Sequence, residues 1–188
     1  EVGSVLVFGN VPLESMKSIA LPTDSATSVQ LLKYLLAKRN LNPHLELMGP
    51  DLASMLAKCD GALLIGDRAL EEAKNNPASV QLDLGTDWLE FTQKPMVFGV
   101  FAARKDTPLE SLRIAQGMLT ENLRMFEQNI ERREKVIQWA LSRSDLDYER
   151  LDRYFGEVFN RMDQEHLSGL NEFLIEACGL DNGAEFAW

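Results

Sequence analysis

Short apolar runs alternate with amphipathic stretches over the first hundred residues. The runs Val5–Phe8, Ser18–Leu21, Leu45–Met48, Ala62–Ile65, Val80–Leu84 and Met96–Ala102 read as strands. Most are continuously apolar, as strands covered on both faces should be. The segment that follows Ser28 has helical spacing, with Val29, Leu31, Leu32, Leu35 and Leu36 on one side and Lys38 and Arg39 near its end, where the helix dipole favours cations. Thr27 to Gln30 reads as its capping box. A second helix is predicted from Pro50-Asp51, with Leu52, Met55 and Leu56 facing inward. A third follows Gly66-Asp67 and carries Ala69, Leu70 and Ala73. Trp88, Leu89 and Phe91 suit a short helical turn ahead of Lys94-Pro95. Strands alternating with helices predict an α/β unit with a largely parallel sheet.

The pattern changes after residues 103–106, where we place a boundary between an α/β lobe (1–104) and a helical segment (105–188). Thr107-Pro108-Leu109-Glu110 reads as a helix start with proline in the first helical position. Helical periodicity then runs to Ser142, resumes over Tyr148–Phe155 and again over Asp163–Cys178, with Gly179 as the stop. An apolar stripe of Leu112, Met118, Leu119, Leu123 and Phe126 could pair with another chain, so a homodimer is one expectation.

Charge narrows the partners. With 19 Lys and Arg against 29 Asp and Glu, the formal charge is −10, which offers no basic field for nucleic acid or an anionic membrane. An anionic ligand must therefore be held by local geometry. No apolar stretch reaches the ~20 residues of a membrane span, and no signal peptide opens the chain, so the expected location is cytoplasmic. Cys59 and Cys178 are far apart, and only His44 and His166 accompany them. No metal site and no disulfide framework is expected, and no cofactor. Both histidines read as surface residues. The apolar run Glu1 to Phe8 at the very start reads as a buried strand, so something upstream of it is expected.

The candidate chemistry lies in residues 21–36, where Thr23, Asp24, Ser25, Thr27 and Ser28 crowd between a strand and a helix. Open α/β sheets bind ligands at the carboxyl ends of strands. Helix-start amides lack intrahelical partners and carry about half a positive charge together, so with flanking hydroxyls they can bind a carboxylate without Lys or Arg. The plain alternative is that one of Asp24, Ser25 or Thr27 only caps the helix. Asp24 opposes anion binding unless it points away or meets a neutral hydroxyl. Ser4 at the start of a strand could face the same cleft. Asp67 is either an N-cap, the favoured reading, or a pocket carboxylate. Gly99, inside an apolar run, suggests a bulge or a close approach. No P-loop, G-x-G-x-x-G, H-E-x-x-H or G-x-S-x-G is present.

The strings Gly3-Ser4-Val5-Leu6-Val7-Phe8, Pro22 to Val29, Ala62 to Leu70, Leu82 to Trp88 and Pro95 to Ala102 resemble the chorismate dehydratases of the futalosine route to menaquinone, in order and spacing over residues 3–103. The resemblance implies an α/β, type II periplasmic-binding-protein-like fold and a hydro-lyase that converts chorismate into 3-[(1-carboxyvinyl)oxy]benzoate. It also implies a first lobe carrying an active-site Asn, which has no counterpart in these 188 residues. The chain is thus expected to be part of a longer polypeptide, inactive alone, with helices 105–188 packing on that lobe. Substrate binding is expected at Ser4, Ser25, Thr27, Ser28 and, less directly, Asp67, with a small carboxylate as partner and no catalytic group assigned. The alternatives are a solute-binding protein for a small carboxylate, the related 1,4-dihydroxy-6-naphthoate synthase, and a helical interaction module.

Overall fold

The computed structural model describes residues 3–187, so Glu1 and Val2 of the predicted first strand lie outside the described residues. Five strands form one sheet: β1 (Val5–Gly9), β2 (Ser18–Pro22), β3 (His44–Met48), β4 (Gly61–Ile65) and β5 (Val80–Asp83), in the order β3-β2-β4-β1-β5. β2 is parallel to both β3 and β4, whereas β1 runs antiparallel to β4 and to β5. A largely parallel sheet is therefore only half right at the level of ladders. A continuous apolar strand is compatible with either direction, because burial on both faces carries no record of polarity. Register pairs Val5 with Ile65, Val7 with Leu63 and Leu6 with Asp83, so β1 enters at the edge where β2 and β4 end.

The side-chain period of two sorts this sheet into two cores. Val5, Val7, Ile19, Leu21, Leu63 and Leu82 pack on one face with α1 (Ala26–Lys38) and α4 (Leu84–Thr92). Leu6, Phe8, Ala20, Ala62 and Leu64 pack on the other with α2 (Leu52–Leu56) and α3 (Gly66–Asn75). Leu31, Leu32 and Leu35 of α1 are fully buried, each contributing about 1.5–3 kcal/mol of transfer free energy. Trp88 lies against Tyr34 and Phe173, with ring centroids 5.4 and 6.1 Å away. β3 is an edge strand and mostly exposed, with Glu46 in its middle, so not every apolar run is covered.

Two predicted starts are displaced. Ser25, not Thr27, caps α1, since its hydroxyl accepts the Ser28 N–H. Pro108 is the N-cap of α5 (Leu109–Gln128) and not its first helical residue, because its carbonyl accepts the first helical bond, from Leu112. Met96–Ala102 is not a strand. Met96 and Phe98 tuck against the first core, while Gly99 and Val100 are exposed and Phe101 is 88% exposed. An apolar run becomes a strand only where a sheet edge accepts its backbone, and this run pairs with none. Gly99 is accordingly not a strand bulge, and no neighbouring backbone approaches it, as an added Cβ there would meet nothing within 4 Å.

The described residues fall into two compact units, within the spans Glu1–Phe98 plus Met162–Ala184, and Gly99–Arg161 plus Glu185–Trp188. The division lies ahead of the composition change at residues 103–106. Into the first unit return α8 (Gln164–Glu172) and the π-helical turn Phe173–Ala177, where Gly179 at φ +69° ends the helix as expected. The second unit contains α5, α6 (Ile130–Leu141) and α7 (Tyr148–Glu157). Asn129 breaks the predicted continuous helix by capping α6 through the Arg132 N–H. Few residues of this unit are buried, among them Ile137 and Leu151, and none lies in α5. No described helix is long and apolar enough to cross a membrane.

Candidate functional site

The carboxyl edge of the sheet is where β2 and β4 end and β1 begins, so it collects the start of α1, the start of α3 and Ser4. The two helix starts differ in how their polar groups are used. At α1, Ser25 takes the Ser28 N–H at 3.2 Å and donates its own proton to Ser28 Oγ at 2.9 Å. The capping alternative therefore holds for Ser25, and the buried Ser28 hydroxyl is engaged with it. Thr27 is half-buried in the first turn, with its side chain outside this pair.

At α3 the arrangement is open. Its N-cap is Ile65, which has no side-chain acceptor, so no side chain caps the helix. Gly66 adopts φ +63°, a conformation open to glycine at little cost, and its N–H donates to the Ser4 carbonyl at 2.7 Å. This backbone bond fixes Ser4 against the helix start. Ser4 is only 5% exposed, yet its hydroxyl makes no hydrogen bond among the described residues. The hydroxyl is not sealed from solvent, because among the described residues the buried side-chain polar atom without a partner is Trp88 Nε1, so Ser4 offers a donor that solvent or a ligand can reach. Asp67 is exposed in the first turn of α3, neither the N-cap predicted for it nor a buried pocket carboxylate.

Asp24 does not face the α1 amides. It pairs with Arg68 from the first turn of α3. Since α1 and α3 lie on opposite faces of the sheet, this pair crosses the carboxyl edge. Sequence reasoning quoted Arg68 only within a longer string and gave it no role. The signal was absent because the partners are separated by 44 residues.

The remaining chemistry-bearing groups lie elsewhere. Asp60, at the opposite edge, accepts from the Lys17 and Ser18 backbones, and the Lys17 N–H holds its carboxyl below the usual aspartate range. Burial pushes the pKa of the Cys59 thiol up, and partial desolvation does the same for the exposed Cys178. Arg39 is raised chiefly by its hydrogen bond to the buried Asp87. His44 is exposed as expected, but His166 is partly buried and pairs with the α8 cap Asp163 at 2.7 Å. An open groove of about 370 Å³ includes Tyr34, Lys38, Lys94 and Glu172, towards the carboxyl end of α1. It lies away from Ser4, and Lys94 is neutralised by Glu172 at 2.6 Å, so volume alone does not make it the site.

The model of a family described as menaquinone biosynthesis matches residues 1–177. The chain belongs to that family. Among curated proteins, a chorismate dehydratase of Thermus thermophilus is 37% identical over 122 residues, 57% of this chain and 45% of that protein. The chain thus spans less than half the length of this relative. A crystal structure of a protein from Archaeoglobus fulgidus superposes with a TM-score of 0.70 at 22% identity, covering 94% of this chain and 68% of that one. With the mixed five-stranded sheet, this likeness establishes an α/β lobe fold for this member of the menaquinone biosynthesis family.

Proposed function

We propose that this chain forms the substrate-binding lobe of a chorismate dehydratase, a hydro-lyase acting in the cytoplasm without a cofactor. The observation that carries the reading is the Ser4 hydroxyl, free of partners among the described residues and beside the uncapped start of α3, in a chain of the menaquinone biosynthesis family 37% identical over 122 residues to a chorismate dehydratase. Loss of water breaks one C–O and one C–H bond of chorismate and makes the ring aromatic. Aromatisation supplies the driving force, so the protein's part is to hold one conformer and keep its carboxylates off the negative surface. Ser4, the first-turn amides of α3 and the Thr27 hydroxyl are suited to one carboxylate, by neutral donors and a helix dipole.

The test is conversion of chorismate by the intact protein, followed by the ultraviolet absorbance of the enolpyruvyl ether of 3-hydroxybenzoate. Appearance of that product supports the reading. Tight binding of chorismate without turnover favours a solute-binding protein, and absence of both rejects it.

A further inference from the structure

Chorismate and its dehydration product carry two carboxylates, and neutral donors at the α3 start account for one. The carboxyl edge offers one candidate for the second. Arg68 projects from the first turn of α3 and is tied to Asp24, the residue before the α1 cap. Both side chains are partly exposed, 48% and 38%. Ion pairs of this kind add little to stability, because water solvates both members and holding long side chains in one geometry costs entropy. The pair is therefore cheap to break. It is also placed across the sheet edge, joining helices on opposite faces, so a ligand seated against Ser4 lies beside it.

We infer that Arg68 is the specificity-determining residue for dicarboxylates, held by Asp24 in the empty site and transferred to the ligand's second carboxylate on binding. A guanidinium can donate two parallel N–H bonds to a carboxylate, and one carboxylate replaces another at no net change in its pairing. Asp24 acts as the competitor. It denies Arg68 to monoanions, which bind at the α3 start without displacing it and so bind more weakly, and it leaves no uncompensated cation in the empty site. This inference rests on the proposed carboxylate site.

The two side chains then have opposite effects, which a merely structural ion pair does not give. Calorimetric titration of the intact protein compares two probes, the dicarboxylate 3-[(1-carboxyvinyl)oxy]benzoate and the monocarboxylate 3-methoxybenzoate. Arg68→Gln is expected to weaken the dicarboxylate by about ten- to a hundredfold and leave the monocarboxylate nearly unchanged. Asp24→Asn is expected to tighten the dicarboxylate several-fold. Lys58→Gln, the same charge change before β4 at the far edge, is expected to leave both probes unaltered. Equal weakening of both probes by Arg68→Gln, weaker binding in Asp24→Asn, or an effect of Lys58→Gln as large as that of Arg68→Gln overturns the inference and leaves the carboxylate site standing. Failure of the unmodified protein to bind either probe overturns the site and the inference together.

Discussion

The two edges of the sheet use their polar groups in opposite ways. At the amino edge Asp60 accepts the Lys17 N–H at 2.8 Å and the Ser18 N–H at 3.1 Å, while the Ser18 hydroxyl accepts the Asp60 N–H at 3.1 Å. The same side chain closes β2 onto the turn before β4, with its Oδ2 taken up by these bonds. At the carboxyl edge the Ser4 hydroxyl has no partner among the described residues, and α3 has no side-chain cap. One edge is finished as structure. The other retains donors that the protein itself does not use and that a ligand can reach.

This contrast predicts a dissociation between binding and stability. The largest effect is expected for Ser4→Ala. It removes a donor that the empty protein does not use, so carboxylate affinity falls by about 1–3 kcal/mol, while the melting temperature stays unchanged. Calorimetry and thermal denaturation on the same sample check both halves, and a clear loss of melting temperature would return Ser4 to a structural role. Gly66→Ala should cost about 1–2 kcal/mol of stability through its left-handed backbone, with space not at issue, because an added Cβ meets nothing within 4 Å. Denaturant unfolding measures it. Ser25→Ala removes the α1 cap and should cost about 1 kcal/mol of stability, with a smaller effect on affinity than Ser4→Ala.

The smallest effect concerns pH. Asp60 is held below its ordinary pKa by backbone donors, so its contribution to stability is present at neutral pH and lost as pH falls below the ordinary aspartate range. Asp60→Asn should flatten that acid limb of the stability curve without changing carboxylate affinity. A change in affinity would break the separation between the two edges.

Much of this was legible in the sequence, for identifiable reasons. Strands β1, β2, β4 and β5 were readable because each is a short apolar run bounded by polar or turn residues, and α1 because its leucines recur at helical spacing. Met96–Ala102 has the same composition as those strands and is not one, since pairing depends on an available edge rather than on the run itself. At the candidate site, the crowded hydroxyls of residues 23–28 lie at the carboxyl edge of the sheet, and part of them is used within the fold. Ser25 and Ser28 satisfy each other, and the open donors belong to Ser4 and α3. Local sequence cannot say which of several adjacent hydroxyls will be consumed by a cap.

The sequence by itself determined the α/β class, the apolar face of α1, and the need for a local rather than a charge-driven anion site. Those properties depend on periodicity and composition, which are local or summed quantities. Only the tertiary structure decided that β1 runs against its neighbours, that the Gly66 N–H anchors Ser4, and that Asp24 reaches Arg68 across the sheet edge. Each of these joins segments distant along the chain, and such contacts are fixed by how the two cores close rather than by any one segment.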